Sequence, residues 1–183
     1  MKTQKLTLLA MLAALATVGR ILFSSLFYLP NVQPVSTLVI ICGIWLGPVE
    51  GVILAVLSTI LSNLVLGMGI WTLPQILCWG IIGLISGLIG KYRKSMPIWV
   101  LAFFSALVGY GYGLVMSLTY GTIGNHFWAY YLSGLMYDTY HAVGNVIFMV
   151  LLYPVLSKLF IRFLEKDDKN VKSFNSLKEV NHL

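Results

Sequence analysis

Long apolar runs separated by short links make up most of this chain. They cover 5–27, 35–47, 49–66, 74–91, 97–120 and 133–163. A helix needs about 20 residues to cross a hydrocarbon layer, so six spans are predicted. The second is short for a full crossing, which predicts a helix that is tilted or sheltered by its neighbours. Apolar residues follow one another without the alternation of a lipid-facing strand, so the spans are expected to be helices and not a barrel. The predicted fold is an all-α integral membrane protein, with a six-helix bundle over 1–164. A charged cytoplasmic tail, frayed or disordered, is predicted over 165–183.

Composition agrees with this pattern. The 183 residues are 58% hydrophobic and 10% charged, which leaves too little polar surface for a soluble domain of this size. Lys2, Lys5 and Ala14-Leu15-Ala16 imitate a cleavable signal peptide. However, the run continues past Arg20 to Phe27 and no hydrophilic domain follows, so a retained span is expected. Cys42 and Cys78 lie inside predicted spans without metal-ligand spacing and are expected to be packing residues.

Charge predicts orientation. Lys2 and Lys5 precede the first span, and Lys91, Arg93 and Lys94 fill the fourth link. Lys158, Arg162, Lys166, Lys169, Lys172 and Lys178 close the chain, whereas 28–34, 67–73 and 121–132 contain no Lys or Arg. The positive-inside rule then places both termini in the cytoplasm. The net charge of +6 is therefore a matter of topology, with anionic lipid as a partner and no nucleic acid.

The polar residues left inside this frame are few. In Leu29-Pro30-Asn31-Val32-Gln33-Pro34-Val35 two prolines break the helical path around Asn31 and Gln33, with Tyr28 just before them. The segment is either a surface turn or one lip of a binding site. Ala10 and Ala14 share a helix face that would let another helix approach closely. Arg20 could snorkel to the surface, pair with an acid or meet a ligand anion. Glu50 suits the start of the third helix, and Asn63 lies near its far end. Trp71 is either an interfacial belt residue or a flat surface for a ligand ring, while Gln75 and Trp79 share a face on the fourth span. Gly80, Gly83, Gly87 and Gly90, with Gly109, Gly111 and Gly113, are expected at close helix contacts. An aromatic loop is predicted over 121–132, leading into Tyr137, Asp138, His141 and Asn145. The last three form a polar stripe on the sixth helix. Arg20 and Asp138 could be a structural ion pair, or could orient a polar ligand.

No enzyme constellation is present: the chain has no phosphate-binding Gly-rich loop ending in Lys-Ser/Thr and no HExxH helix. It also has no repeated pore element and no pair of related halves of the kind common in secondary transporters. The classes that remain are a ligand-capture subunit, a stand-alone secondary transporter and a structural membrane protein.

Size, six spans, cytoplasmic termini and Ala10-x-x-x-Ala14 together resemble the S-components of energy-coupling factor (ECF) transporters, the substrate-binding membrane subunits of bacterial vitamin importers. The resemblance covers about residues 5–163. Three segments look like the cobalamin branch: Leu29–Val35, Leu46-Gly47-Pro48 and Gly69-Ile70-Trp71-Thr72-Leu73-Pro74-Gln75. The third departs from the expected Gly-Pro-Trp-Thr-Pro. The resemblance implies a multi-pass protein of the plasma membrane with no catalytic residues and no permanently bound cofactor. It implies partners as well: a transmembrane coupling subunit that packs on Ala10 and Ala14, and two ATP-binding subunits that supply the energy. Capture outside would be followed by toppling and release inside. For a cobalamin ligand, Asn31, Gln33, Gln75 and Asn145 could hydrogen-bond the corrin amides, and Trp71, Trp79 and Tyr137 could offer apolar faces. His141 could be an axial ligand or a hydrogen-bonded bundle histidine. Pantothenate or another small vitamin is the alternative, and a carboxylate ligand would give Arg20 a role.

Overall fold

The structure, a computed structural model, describes residues 3–26, 31–93 and 95–180. Among these residues the chain is all helical. It comprises α1 (Thr3–Ile21), α2 (Val35–Leu46), α3 (Pro48–Leu66), α4 (Thr72–Tyr92), α5 (Ile98–Gly124) and α6 (Phe127–Val180). A π-helical turn, Leu22–Leu26, ends the first span. Five helices are long and apolar enough to cross a membrane, and α2 is the short one. Tyr28 and the rest of 27–30 lie outside the described residues.

The short helix is the centre of the bundle. Its 12 residues extend about 18 Å at the α-helical rise of 1.5 Å per residue, well under a hydrocarbon thickness of about 30 Å. Its ends therefore need shelter from lipid, and the bundle supplies it. All 12 residues are buried, and α2 touches each of the other five helices.

Glycine sets how closely the neighbours approach. A Cβ on Gly43 of α2 would lie 2.7 Å from the Gly83 carbonyl oxygen of α4, and one on Gly83 would lie 2.5 Å from the Gly51 carbonyl carbon of α3. Gly87 faces the Pro48 backbone and Gly90 faces Ile44 in the same way. The expectation of close contact fails at Gly80 and Gly111, where an added Cβ would meet open space. Between α2 and α3, Gly47 takes φ 120°, a conformation that favours glycine, and Pro48 opens the next helix.

Glu50, in the first turn of α3, pairs with Lys5 at 2.6 Å, and Lys5 also donates to the Leu46 carbonyl at 3.2 Å. A cation at the last carbonyls of α2 is favourably placed for the helix dipole. Trp45 stacks on Phe160 nearby, with ring centroids 6.2 Å apart. Lys5, Lys91 and Lys158 thus belong to one end of the bundle, here called the basic end. The opposite, aromatic end carries Trp71, Tyr120 and Tyr130.

Two expectations are corrected at the aromatic and C-terminal regions. The loop predicted over 121–132 is reduced to a sharp corner. Helix α5 runs to Gly124, Asn125 turns left-handed at φ 54°, and α6 begins at Phe127. Asparagine tolerates that conformation, and Gly121 lets the Phe127 backbone approach closely enough to close the hairpin. The charged tail predicted to fray is helical in backbone through Val180, because 165–180 contains neither glycine nor proline to stop it.

Candidate functional site

Trp79 organises the interior. It is fully buried on α4, and its Nε1 donates to Ser36 Oγ of α2 at 2.9 Å. The same Ser36 oxygen lies 2.9 Å from His141 Nε2 of α6. Tyr112 of α5 stacks on Trp79 with centroids 5.0 Å apart and meets His141 edge-on at 4.8 Å. One turn before Trp79, Gln75 donates from Nε2 to the Tyr112 hydroxyl at 2.9 Å and accepts from Asn63 Nδ2 at 2.9 Å. Asn63 Nδ2 also donates to Thr72 Oγ1 at 3.1 Å. The i, i+4 spacing of Gln75 and Trp79 therefore brings both onto Tyr112, as a shared helix face requires.

Arg20 closes the network from α1. Its Nη1 donates to Ser62 Oγ at 2.8 Å, and the guanidinium lies 5.1 Å from the centroid of the Trp79 ring. A buried cation is costly, and these two contacts replace part of its hydration. The structural ion pair with Asp138 is not formed. Among the described residues the ion pair is Lys5–Glu50, and Arg20 is held by Ser62 and Trp79 instead. All six helices contribute a polar side chain to this network.

Beside it, residues of α5 and α6 line a cleft of about 530 Å³. Tyr120, Tyr130, Tyr137, Ser117, Ser133 and Asp138 line it, with Asn31 at its edge. The Asp138 carboxyl packs against Gly113, where any Cβ would overlap it. Asp138 is 4% exposed, and its Oδ2 has no hydrogen-bond partner. Tyr120 and Tyr130 stack with centroids 6.0 Å apart. In this low-dielectric setting a carboxyl oxygen without a donor costs free energy, so the cleft presents unsatisfied acceptor capacity.

The expected site residues divide between these two places. Arg20, Asn63, Gln75, Trp79 and His141 form the interior network, whereas Asn31, Tyr137 and Asp138 line the cleft. The polar stripe on α6 is therefore split, since Asp138 faces the cleft while His141 bonds Ser36. Asn145 lies deeper, donating from Nδ2 to the Ser105 backbone carbonyl at 3.1 Å, and its backbone carbonyl accepts from Thr37 Oγ1 at 3.2 Å. Gln33 is buried beside α2, and Trp71 folds its ring over Gly69. Ala10 and Ala14 are exposed, while Ala13 and Ala16 of the same helix are buried in the bundle. Sequence reasoning missed Ser36, Ser62 and Tyr112, along with the serines and Tyr120 of the cleft. The available signal was a hydroxyl within an otherwise apolar run, which in lipid seeks a partner. No cluster of His, Cys, Asp or Glu suited to a metal ion exists among the described residues.

Comparison with protein families matches residues 4–164 to the family described as ECF transporter, substrate-specific component. No curated protein and no solved structure matches the chain.

Proposed function

We propose that this chain, which belongs to the family of ECF transporter substrate-specific components, captures a vitamin in the Asp138 cleft and delivers it inward. The energy comes from ATP hydrolysed by two partner subunits, through a transmembrane coupling subunit. The observation that carries this reading is the cleft: a carboxyl oxygen without a partner, in a cavity walled by tyrosines and serines. Support for direction comes from Lys and Arg at the opposite end, which the positive-inside rule assigns to the cytoplasm together with both termini. Exposed Ala10 and Ala14 suit a close approach by a helix of the coupling subunit.

Two ligand readings follow. The segments Leu29–Val35, Leu46-Gly47-Pro48 and Gly69–Gln75 favour cobalamin or another corrinoid. The cleft volume favours pantothenate or another small vitamin, because about 530 Å³ lies within the roughly 300–1,000 Å³ of sites that enclose drug-sized ligands. Calorimetry on the purified chain with cobalamin, cobinamide and a panel of small vitamins tests the function and separates the readings. One ligand should bind without any ATPase subunit, and silence across the whole panel would return the chain to a structural role. Replacing Ala10 and Ala14 together by leucine should abolish cellular uptake while leaving binding intact. Undiminished uptake would point to a stand-alone transporter.

A further inference from the structure

Resting on the reading of the cleft as the capture site, we propose that Asp138 selects ligands that carry a cationic nitrogen on a small ring system. The charge inventory leads there. Asp138 is buried and packs its carboxyl against the bare backbone of Gly113, and its Oδ2 lacks any donor. Among the described residues no lysine, arginine or histidine lines the cleft, so its walls offer no counter-charge. Arg20, the buried cation of the bundle, is engaged by Ser62 and lies over Trp79. His141, one turn along α6, turns its Nε2 to Ser36.

The walls favour the same ligand class. Tyr120 and Tyr130 stack on each other in the wall of the same cleft, and Tyr137 adds a third ring next to Asp138 in sequence. Tyrosine faces attract cations and accommodate flat rings, while Ser117 and Ser133 supply hydroxyls for orientation. An anionic ligand would meet an uncompensated carboxylate in a low-dielectric cavity, and a neutral one would leave the acid short of a charged donor. Both carboxylate and tyrosine walls therefore discriminate in one direction.

The test is titration calorimetry on the full-length chain in lipid nanodiscs. The matched probes are pyridoxamine and pyridoxine, which differ in one group, an ammonium in place of a hydroxyl. Thiamine serves as a second cation, and pantothenate and cobalamin complete the panel. Pyridoxamine should bind about 10- to 100-fold tighter than pyridoxine, the range expected for a charge-assisted hydrogen bond. Thiamine, whose quaternary thiazolium has no N–H, should bind tighter than pyridoxine by charge attraction alone. Asp138→Asn should erase that preference, Asp138→Glu should retain part of it, and Glu50→Gln at the far end should leave it unchanged. The wild-type comparison stands even where a variant fails to fold. Tighter binding of pyridoxine, pantothenate or cobalamin than of either cation overturns the inference and keeps the capture function. A preference that survives Asp138→Asn also overturns it. No binding by any probe overturns both.

Discussion

The α2–α3–α4 core and the α5–α6 cleft contain similar residue types arranged to opposite ends. In the core, glycines let backbones touch, and Ser36 meets both Trp79 Nε1 and His141 Nε2. In the cleft, Gly113 serves a side chain instead, making room for a carboxyl whose Oδ2 has no hydrogen-bond partner. Buried polar groups in a membrane bundle are costly, so the bonds between core helices serve stability. The core keeps unpartnered atoms of its own at Asn63 Oδ1, His141 Nδ1 and Asn145 Oδ1, but the Asp138 oxygen belongs to a residue that lines a cavity a ligand can enter. Access to the cleft, which Asp138 has and Ser36 lacks, separates site from scaffold better than polarity does.

Breaking the core should have the largest effect. Gly87→Leu drives a side chain into the Pro48 backbone, and overpacking of this kind costs about 1–3 kcal/mol or more. Loss of monodisperse protein on size exclusion, or a steep fall in Tm, is expected. Wild-type behaviour would show that α4 can move away from the α2–α3 joint.

Ser36→Ala comes next. It strands Trp79 Nε1 and His141 Nε2 together, at about 1–3 kcal/mol for each unsatisfied group. Thermal unfolding in detergent should show the loss. An unchanged Tm would mean that the core network is no more structural than the cleft.

Asp138→Asn sharpens the contrast by reversing its sign. Replacing an unpartnered buried carboxyl with a neutral amide should leave Tm unchanged or raise it, since less charge is desolvated. A marked fall in Tm would reveal a structural role for Asp138. The smallest effect belongs to Glu50→Gln, which weakens a partly exposed pair with Lys5 and should cost less than about 1 kcal/mol in the same assay.

The six helices were legible from hydrophobic runs alone, and most helix ends were marked by Pro34, Gly47-Pro48, Gly67 and Pro97. The short second run allowed two readings, tilt or shelter by neighbours, and all 12 residues of α2 are buried in the bundle. The corner at Asn125 was not. Polar and aromatic residues over 121–132 read as a loop, yet the contact between Gly121 and Phe127 lets the helices run almost together. The site was legible in kind and mistaken in arrangement: the stripe Asp138, His141 and Asn145 was correctly placed on one helix, but its members serve different neighbours.

Sequence by itself determined the class and the number of spans, because lipid allows few solutions for long apolar runs and each is written locally. The family followed from a resemblance that the family match over residues 4–164 bears out. Tertiary structure alone decided which polar groups are spent on one another. That Arg20 goes to Ser62 and Trp79, and Asp138 to an open cleft, depends on which helices meet. Meeting is set by shape and distance across the bundle, which residue order along one helix does not encode.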